Sequence, residues 1–191
     1  MIDESAESVG VCDALIAEGK NIVYSYSKER RGAIYCWNYG LKMARADLFW
    51  HMGDDLDFTD GWLGILLEAH RTKLGGNGLA GANDSMHDGN TTVATHFLMD
   101  RAYCKEHMGG VMAIPVIKYY GVDVWATEKA RQVGKYYWCR ESVVRHIHHA
   151  NGGRPVDDTD RSHGDAAWNH DIPLMDEMRN SGLKVTWDAV I

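Results

Sequence analysis

The chain has 191 residues, and 20 Lys+Arg against 27 Asp+Glu give a formal charge of −7 with ten His neutral. This length fits one domain that buries about 70% of its unfolded surface, and seven Trp and nine Tyr exclude a disordered chain. No apolar run approaches the roughly 18 residues of a membrane helix, and the acidic balance argues against broad binding to nucleic acid or anionic lipid. Four isolated Cys predict buried or half-buried thiols in a reducing cytoplasm.

Helical and strand patterns alternate through the first half of the chain. An apolar stripe with helical spacing indicates an amphipathic helix at 34–46, and the short apolar run that follows it indicates a buried strand. Asp60 is a candidate N-cap for a helix whose Trp62, Leu63, Leu66 and Leu67 face the core. The predicted helices are 9–18, 34–46 and the helix after Asp60, and the predicted strands are 21–26, 48–52 and 79–82.

The second half continues the alternation after a polar loop at 83–90. Asp100 is a candidate N-cap for a short helix that stops at Gly109-Gly110. The remaining predicted elements are strands at 96–99, 135–139 and 142–149, a helix at 123–133, a loop at 150–164 and a last helix at 165–180. Strands alternating with helices predict an α/β domain with a mostly parallel or mixed sheet.

An acidic motif directly follows the predicted strand 48–52. Gly53-Asp54-Asp55-Leu56-Asp57 places three carboxylates within four residues, and their mutual repulsion is offset if a cation binds among them. Hard ions such as Mg²⁺ or Mn²⁺ prefer such oxygen ligands. The alternative interpretation is an acidic turn that faces water.

Histidines cluster at the end of the predicted strand 142–149. Residues two apart on a strand share a face, so His146 and His148 are expected to project together and His149 away from them. Imidazoles beside carboxylates make a mixed N/O metal site. Two histidines hydrogen-bonded within a polar crevice remain the alternative.

Two further segments carry candidate charges. Asp123 begins a predicted helix, where the helix dipole favours its ionised form and suits a base, although a plain N-cap fits equally well. Ser27-Lys28-Glu29-Arg30-Arg31-Gly32 is a basic turn entering a helix, which could bind phosphate or could be solvated surface charge.

Taken in order, these motifs resemble GT-A type nucleotide-sugar glycosyltransferases, most closely the family 2-like enzymes of phages and some bacteria. The resemblance spans nearly the whole chain. It is carried by Ile2-Asp3-Glu4-Ser5, Arg31-Gly32 with Asn38-Tyr39-Gly40, Gly53-Asp54-Asp55 with Gly61-Trp62, Tyr120 to Trp125, His146-Ile147-His148 and Asp157-Asp158-Thr159.

The resemblance implies a single domain over 1–191, with a nucleotide- and metal-binding half at 1–100 and an acceptor half with a C-terminal helix at 101–191. The implied fold is a GT-A (Rossmann-like) three-layer sandwich with a mixed central sheet. The implied activity is a metal-dependent, inverting, hexosyltransferase-like transfer from a UDP- or GDP-sugar to an acceptor hydroxyl.

The resemblance also assigns expected roles. Asp55, Asp57, His146 and His148 would bind Mn²⁺ or Mg²⁺, and Asp123 would be the catalytic base. Asp3, Lys28, Arg31 and Asp54 would contact the nucleotide, with the register of D-x-D open between Asp54-Asp55 and Asp57.

The chain departs from the family pattern at its start, where an additional strand and helix usually stand. We therefore expect an N-terminally shortened sheet, which a homodimer could complete because an unpaired edge invites association. Two other classes stay open: a metal-dependent phosphoester hydrolase or nucleotidyltransferase, and a non-catalytic nucleotide-binding or interaction domain.

Overall fold

The computed structural model describes residues 2–3, 5–90, 92–156 and 158–180. They form a mixed α/β structure of helices around a central sheet. The strands are β1 (Ile2–Asp3), β2 (Tyr26–Ser27), β3 (Leu48–His51), β4 (Leu56–Phe58), β5 (Leu79–Asn83), β6 (Phe97–Asp100) and β7 (Tyr136–His146). The helices are α1 (Ala6–Ala17), α2 (Ala33–Met43), α3 (Trp62–Lys73), α4 (Arg101–His107), α5 (Val122–Gln132) and α6 (Asp158–Asn180).

The main sheet has five strands in the order β3-β6-β5-β7-β4. β6 pairs antiparallel with both β3 and β5, whereas β5 and β7 are parallel. β3, β5 and β7 therefore run in one direction, and their carboxyl ends lie at the same edge of the sheet. The sheet is mixed, as the sequence predicts.

The two faces of this sheet carry separate apolar layers, because side chains alternate along each strand. On one face Leu79, Phe97 and Met99 pack in a cluster that includes residues of α2, α4, α5 and α6. On the other face Ala80 and Leu98 pack with α3. Helices on both faces of a mixed sheet give the three-layer α/β architecture.

The N-terminal segment forms a β-α-β unit of its own. β1 and β2 make a separate parallel pair in which Asp3 lies opposite Ser27, and no residue of α1 is buried. The predicted strand at 21–26 is therefore largely wrong: only its last residue belongs to β2, since Val23 is 86% exposed and has no core to join.

Other differences from the sequence prediction have local causes. β7 is one strand where two were predicted, and its apparent break at Arg140 coincides with a bulge opposite Ala82 and Asn83. Asp60 does not cap α3, because Gly61 occupies the N-cap position in the left-handed conformation. In α3 only Leu66 and His70 are buried, whereas Leu63 and Leu67 are exposed.

The predicted helices at 9–18, 34–46 and 123–133 lie within three residues of α1, α2 and α5, whereas the last helix extends into the predicted loop 150–164. Asp100 caps α4, accepting the Tyr103 N–H at 2.7 Å. α6 begins at Asp158, earlier than predicted, and Cys104 and Cys139 are buried. Within the part of the chain described above, no helix is both long and apolar enough to cross a membrane.

Candidate active site

The carboxyl ends of β3 and β7, the segment before β6 and the start of α5 line a cleft of about 860 Å³. Open α/β sheets bind their ligands at the carboxyl ends of strands. The cleft is lined by acidic, imidazole and tyrosine side chains together with two arginines. This composition suits a polar, charged ligand.

A carboxylate and an imidazole converge in this cleft. Asp55 follows β3 and His146 ends β7, and Asp55 Oδ2 lies 3.1 Å from His146 Nε2. Their backbones are held together because Leu56 is the register partner of His146 and the Ile147 N–H donates to the Asp55 carbonyl. The side chains are 23% and 12% exposed. This pair brings together one residue of the acidic motif and one of the histidine cluster.

Gly53 allows the Asp55 carboxylate to fold back over the turn. A Cβ at residue 53 would stand 2.7 Å from Asp55 Oδ1 and 3.8 Å from His96 Cε1. A contact as short as the first requires the carboxylate to move. Glycine at this position is therefore needed for the observed orientation of Asp55.

The second histidine of the cluster lies beside the first. The rings of His146 and His148 have centroids 5.0 Å apart, and both residues line the cleft. His148 Nδ1 accepts the Ala150 N–H at 3.2 Å, so in the neutral ring Nε2 carries the proton. Burial and the neighbouring imidazoles lower the pKa of His148. In this conformation His148 offers the cleft a hydrogen-bond donor.

His96 also lines the cleft, and sequence analysis missed it. It is 2% exposed, its ring lies edge-on to His146 with centroids 4.8 Å apart, and neither ring nitrogen has a hydrogen-bond partner in the described residues. Burial, followed by the field of His146, lowers its pKa to about 4. A lone histidine before a strand gives no sequence signal of such a position.

Asp123 also lines the cleft, in the first turn of α5. Its N-cap is Gly121, so Asp123 is not the helix cap, and its Oδ1 accepts the Val124 N–H at 2.8 Å. Burial raises the pKa of Asp123 despite this hydrogen bond. The net effect is the reverse of the lowering expected from the helix dipole alone, and it gives a carboxylate with the character of a base.

The two remaining acidic candidates, Asp54 and Asp57, lie in different places. Asp54 lines the cleft with Asp55, whereas Asp57 is absent from the residues that line it. Asp57 lies opposite Arg145 in the β4–β7 register and forms an ion pair with it at 2.8 Å on the surface. The geometry thus favours Asp54-Asp55 over a register that uses Asp57.

The basic residues that line the cleft differ from the predicted ones. Lys28 and Arg31 are exposed and are not among the cleft residues, and Arg31 pairs with Glu29 at 2.8 Å. Arg30 and Arg154 line the cleft instead. Arg154 follows β7 and lies in the loop predicted at 150–164, where nothing in the sequence indicates a role in the site. Asp157 of the predicted D-x-T motif lies outside the described residues.

The residues present fit a divalent ion that a substrate helps to coordinate. In residues 2–3, 5–90, 92–156 and 158–180, no three His, Cys, Asp or Glu side chains form a group that could hold a metal. Mg²⁺ in nucleotide sites is commonly held by one or two carboxylates and completed by water and phosphate oxygens. Asp55 with His146 offers such a partial set, and its imidazole also suits Mn²⁺.

The layered mixed sheet and the charged cleft at its strand ends define the GT-A, Rossmann-like class. The chain belongs to the family described as Glycosyl transferase family 2, whose profile matches residues 2–147. This membership supports a glycosyltransferase with, in general, a nucleotide-sugar donor. A search of curated proteins found no match. The matched region includes Asp55, Asp123 and His146 and ends before His148 and α6.

Proposed function

We propose that this protein transfers a sugar from a nucleoside diphosphate sugar, UDP- or GDP-linked, to an acceptor hydroxyl with inversion at the anomeric carbon. The observation that carries the proposal is the 3.1 Å approach of Asp55 and His146 in a cleft that also contains Asp123. In this proposal Asp55 and His146 would serve the anionic leaving group, and Asp123 would serve as the base. The division into a donor half and an acceptor half is part of the proposal.

Asp55 and His146 would hold Mn²⁺ or Mg²⁺. When bound, the ion would supply positive charge that offsets the charge of the diphosphate leaving group. Arg30 and Arg154 line the same cleft, and they would face the diphosphate. Asp54 would contact the nucleotide-sugar donor beside the ion. His148 would donate a hydrogen bond to the same donor.

Asp123 would accept the proton of the acceptor hydroxyl. The acceptor oxygen then forms a bond to the anomeric carbon while the bond from that carbon to the diphosphate oxygen breaks and leaves its electron pair on the diphosphate. A single displacement of this kind inverts the anomeric carbon. The raised pKa of Asp123 strengthens it as a base.

The test measures nucleotide binding through its effect on the melting temperature. UDP and GDP are added separately with Mn²⁺ or Mg²⁺, and a nucleotide that binds the folded state raises the melting temperature. We expect the shift to require metal and to disappear in Asp55→Asn and His146→Gln. Asp57→Asn is the matched control, because Asp57 lies outside the cleft, and should keep the shift.

Three results would contradict the proposal. If neither nucleotide shifts the melting temperature with either metal, the proposed donor site is wrong. If the shift is equal in Asp55→Asn and the wild type, the assignment of Asp55 as a metal ligand is wrong. Release of inorganic phosphate or cleaved nucleic acid without a sugar donor selects the phosphoester hydrolase or nucleotidyltransferase class instead.

We further propose that two copies associate in the cytoplasm. β3 forms one edge of the five-stranded sheet, and an open strand edge can pair with another chain. Sedimentation equilibrium tests this part independently, and a monomer at all concentrations would contradict it.

A further inference from the structure

The loop before α5 is fixed by a buried carboxylate of α6. Asp171 is 0% exposed and accepts the N–H groups of Lys118, Tyr119 and Tyr120 at 2.9, 2.8 and 2.8 Å. Its Oδ1 also lies 2.8 Å from His170 Nδ1. Burial alone would raise the pKa of Asp171, but these contacts bring it below its ordinary value. A charged group with this many partners fixes the conformation of the loop.

The same helix contacts the end of this loop. Gly121 has φ +92°, and a Cβ there would stand 2.8 Å from Met175 Cγ. Met175 is 1% exposed and belongs to the main apolar cluster. α6 therefore packs closely against Gly121, the N-cap of α5, two residues before Asp123.

An aromatic surface extends from the cleft along this loop to α6. Tyr119 and Tyr120 line the cleft, as Asp123 does. The Tyr120 ring packs edge-on to Trp168 with centroids 5.4 Å apart, and Tyr119 packs edge-on to Tyr120 at 5.0 Å. Trp168 is 53% exposed, so much of its surface remains available to a ligand.

We propose that Tyr120 and Trp168 form the acceptor subsite, that this subsite takes a sugar ring, and that Asp171 is its positioning residue. This inference rests on the proposed function. The acceptor must bring a hydroxyl to Asp123, and an aromatic face attracts weakly positive C–H groups because its own charge is negative. A pyranose carries both hydroxyls and a C–H face on one rigid ring, whereas a serine side chain carries only the hydroxyl.

The first test is direct binding. The protein is labelled with 5-fluorotryptophan, and the ¹⁹F resonance of Trp168 is identified by its loss in Trp168→Phe. Methyl pyranosides of glucose, galactose and N-acetylglucosamine should shift this resonance, and Tyr120→Ala should weaken the shift. Glucitol, with similar hydroxyls and no ring, and a serine peptide should leave it in place. The proposal is wrong if no pyranoside moves the resonance, or if a simple phenol or the peptide moves it more.

The second test is kinetic. The donor carries the nucleotide that gives the metal-dependent thermal shift, and the acceptor is the pyranoside with the largest ¹⁹F shift. Trp168→Ala should raise the acceptor KM about tenfold, the scale of one aromatic contact, with a much smaller change in kcat. Phe58→Ala is the control, because Phe58 is also an exposed aromatic, but its ring stacks on Trp62 and not on Tyr120. An unchanged acceptor KM in Trp168→Ala would overturn the subsite.

Asp171 requires a readout that a purely structural residue would not change. Asp171→Asn keeps the shape but loses one acceptor oxygen, and it should lower kcat and raise the acceptor KM while nucleotide still shifts the melting temperature. Asp176→Asn, on the exposed side of α6, is the control. A lower melting temperature with unchanged acceptor KM and kcat would make Asp171 merely structural. Absence of any nucleotide shift in the wild type would instead be a failure of the proposed function.

Discussion

At the scale of the residue, the pKa of Asp123 bears on its proposed role as a base. Burial raises this pKa above 3.8, while the Val124 N–H opposes the rise only in part. A general base contributes about 10²- to 10⁴-fold to rate, so Asp123→Asn should lower kcat of transfer by about that factor. The wild-type rate should also fall on acidification, and at a higher pH than an aspartate of ordinary pKa would give.

Steady-state kinetics over a pH series measures both effects, and the nucleotide-induced thermal shift serves as the control for an intact donor site. An Asp123→Asn variant with wild-type kcat would remove Asp123 from the mechanism.

Replacing Gly53 by even the smallest side chain should weaken metal binding. In Gly53→Ala the new methyl would stand 2.7 Å from Asp55 Oδ1 and displace the carboxylate from His146. We expect a weaker apparent affinity for Mn²⁺ with nucleotide, and only a modest loss of folding stability because the clash is with a movable side chain. Calorimetric titration measures the affinity. Gly64→Ala is the control, since nothing lies within 4 Å of its added Cβ.

At the scale of elements, Asp100 joins three of them. Its carboxylate accepts the N–H of Tyr103 in α4 and of Gly78 before β5, and lies 3.4 Å from His70 Nε2 of α3. Asp100→Ala would leave two buried N–H groups without acceptors, each worth about 1–3 kcal/mol. We expect a loss of about 2–5 kcal/mol in the free energy of unfolding, measured by urea denaturation.

Asp60→Ala is the informative comparison for Asp100→Ala. Asp60 is exposed and Gly61 is the N-cap of α3, so the change should stay within about 0.5 kcal/mol. A large loss would mean that Asp60 supports α3 in a way the structure does not show.

The two caps also explain which elements the sequence could predict. Asp100 lies between an apolar strand pattern and the short predicted helix that follows it, and both patterns can be recognised from neighbouring residues alone. The start of α3 depends on Gly61 adopting the left-handed conformation, which the sequence signals less strongly than the acidic residue before it. β4 is three residues long and is defined by its pairing with β7, a long-range contact that local periodicity cannot reveal.

The same reasoning applies to the site. The position of Asp55 after a buried strand could be predicted, because strand ends are a local pattern. The alternation predicted for the histidines is wrong beyond His146: β7 ends there, His148 caps the 3-10 turn His149–Asn151, and the His149 ring, expected to point away, lies 4.1 Å from that of His148. Asp57 lies on the surface because it pairs with Arg145 in the β4–β7 register. Arg154 and His96 lie in the cleft because of tertiary packing. None of these three has a local signature.

At the scale of the whole molecule, buried neutral histidine makes stability depend on pH. His51 is 4% exposed and packs between Trp37 and Phe97. Burial, followed by the field of His96, lowers its pKa from 6.5 to about 3. Between these values the unfolded chain binds more protons than the folded one, so stability falls as the pH drops from 6.5 towards 3.

Each unit of this pKa difference corresponds to about 1.4 kcal/mol. His51→Phe keeps an aromatic ring between the same neighbours and removes the titration, so its urea midpoint should decline less than that of the wild type from pH 6.5 to pH 4. Equal slopes in the two proteins would contradict this account.

Asp55 and His146 are separated by 91 residues in the chain, and one belongs to each half of the proposed division. Their approach depends on the short β4–β7 ladder, where a slip of one residue would turn the imidazole to the opposite face. Two fragments of the chain, cut in the polar loop after β5, would therefore each lack half of the ion-binding pair. Recovery of Mn²⁺ affinity upon mixing them would report native reassembly, which would make the protein a natural starting point for a split sensor.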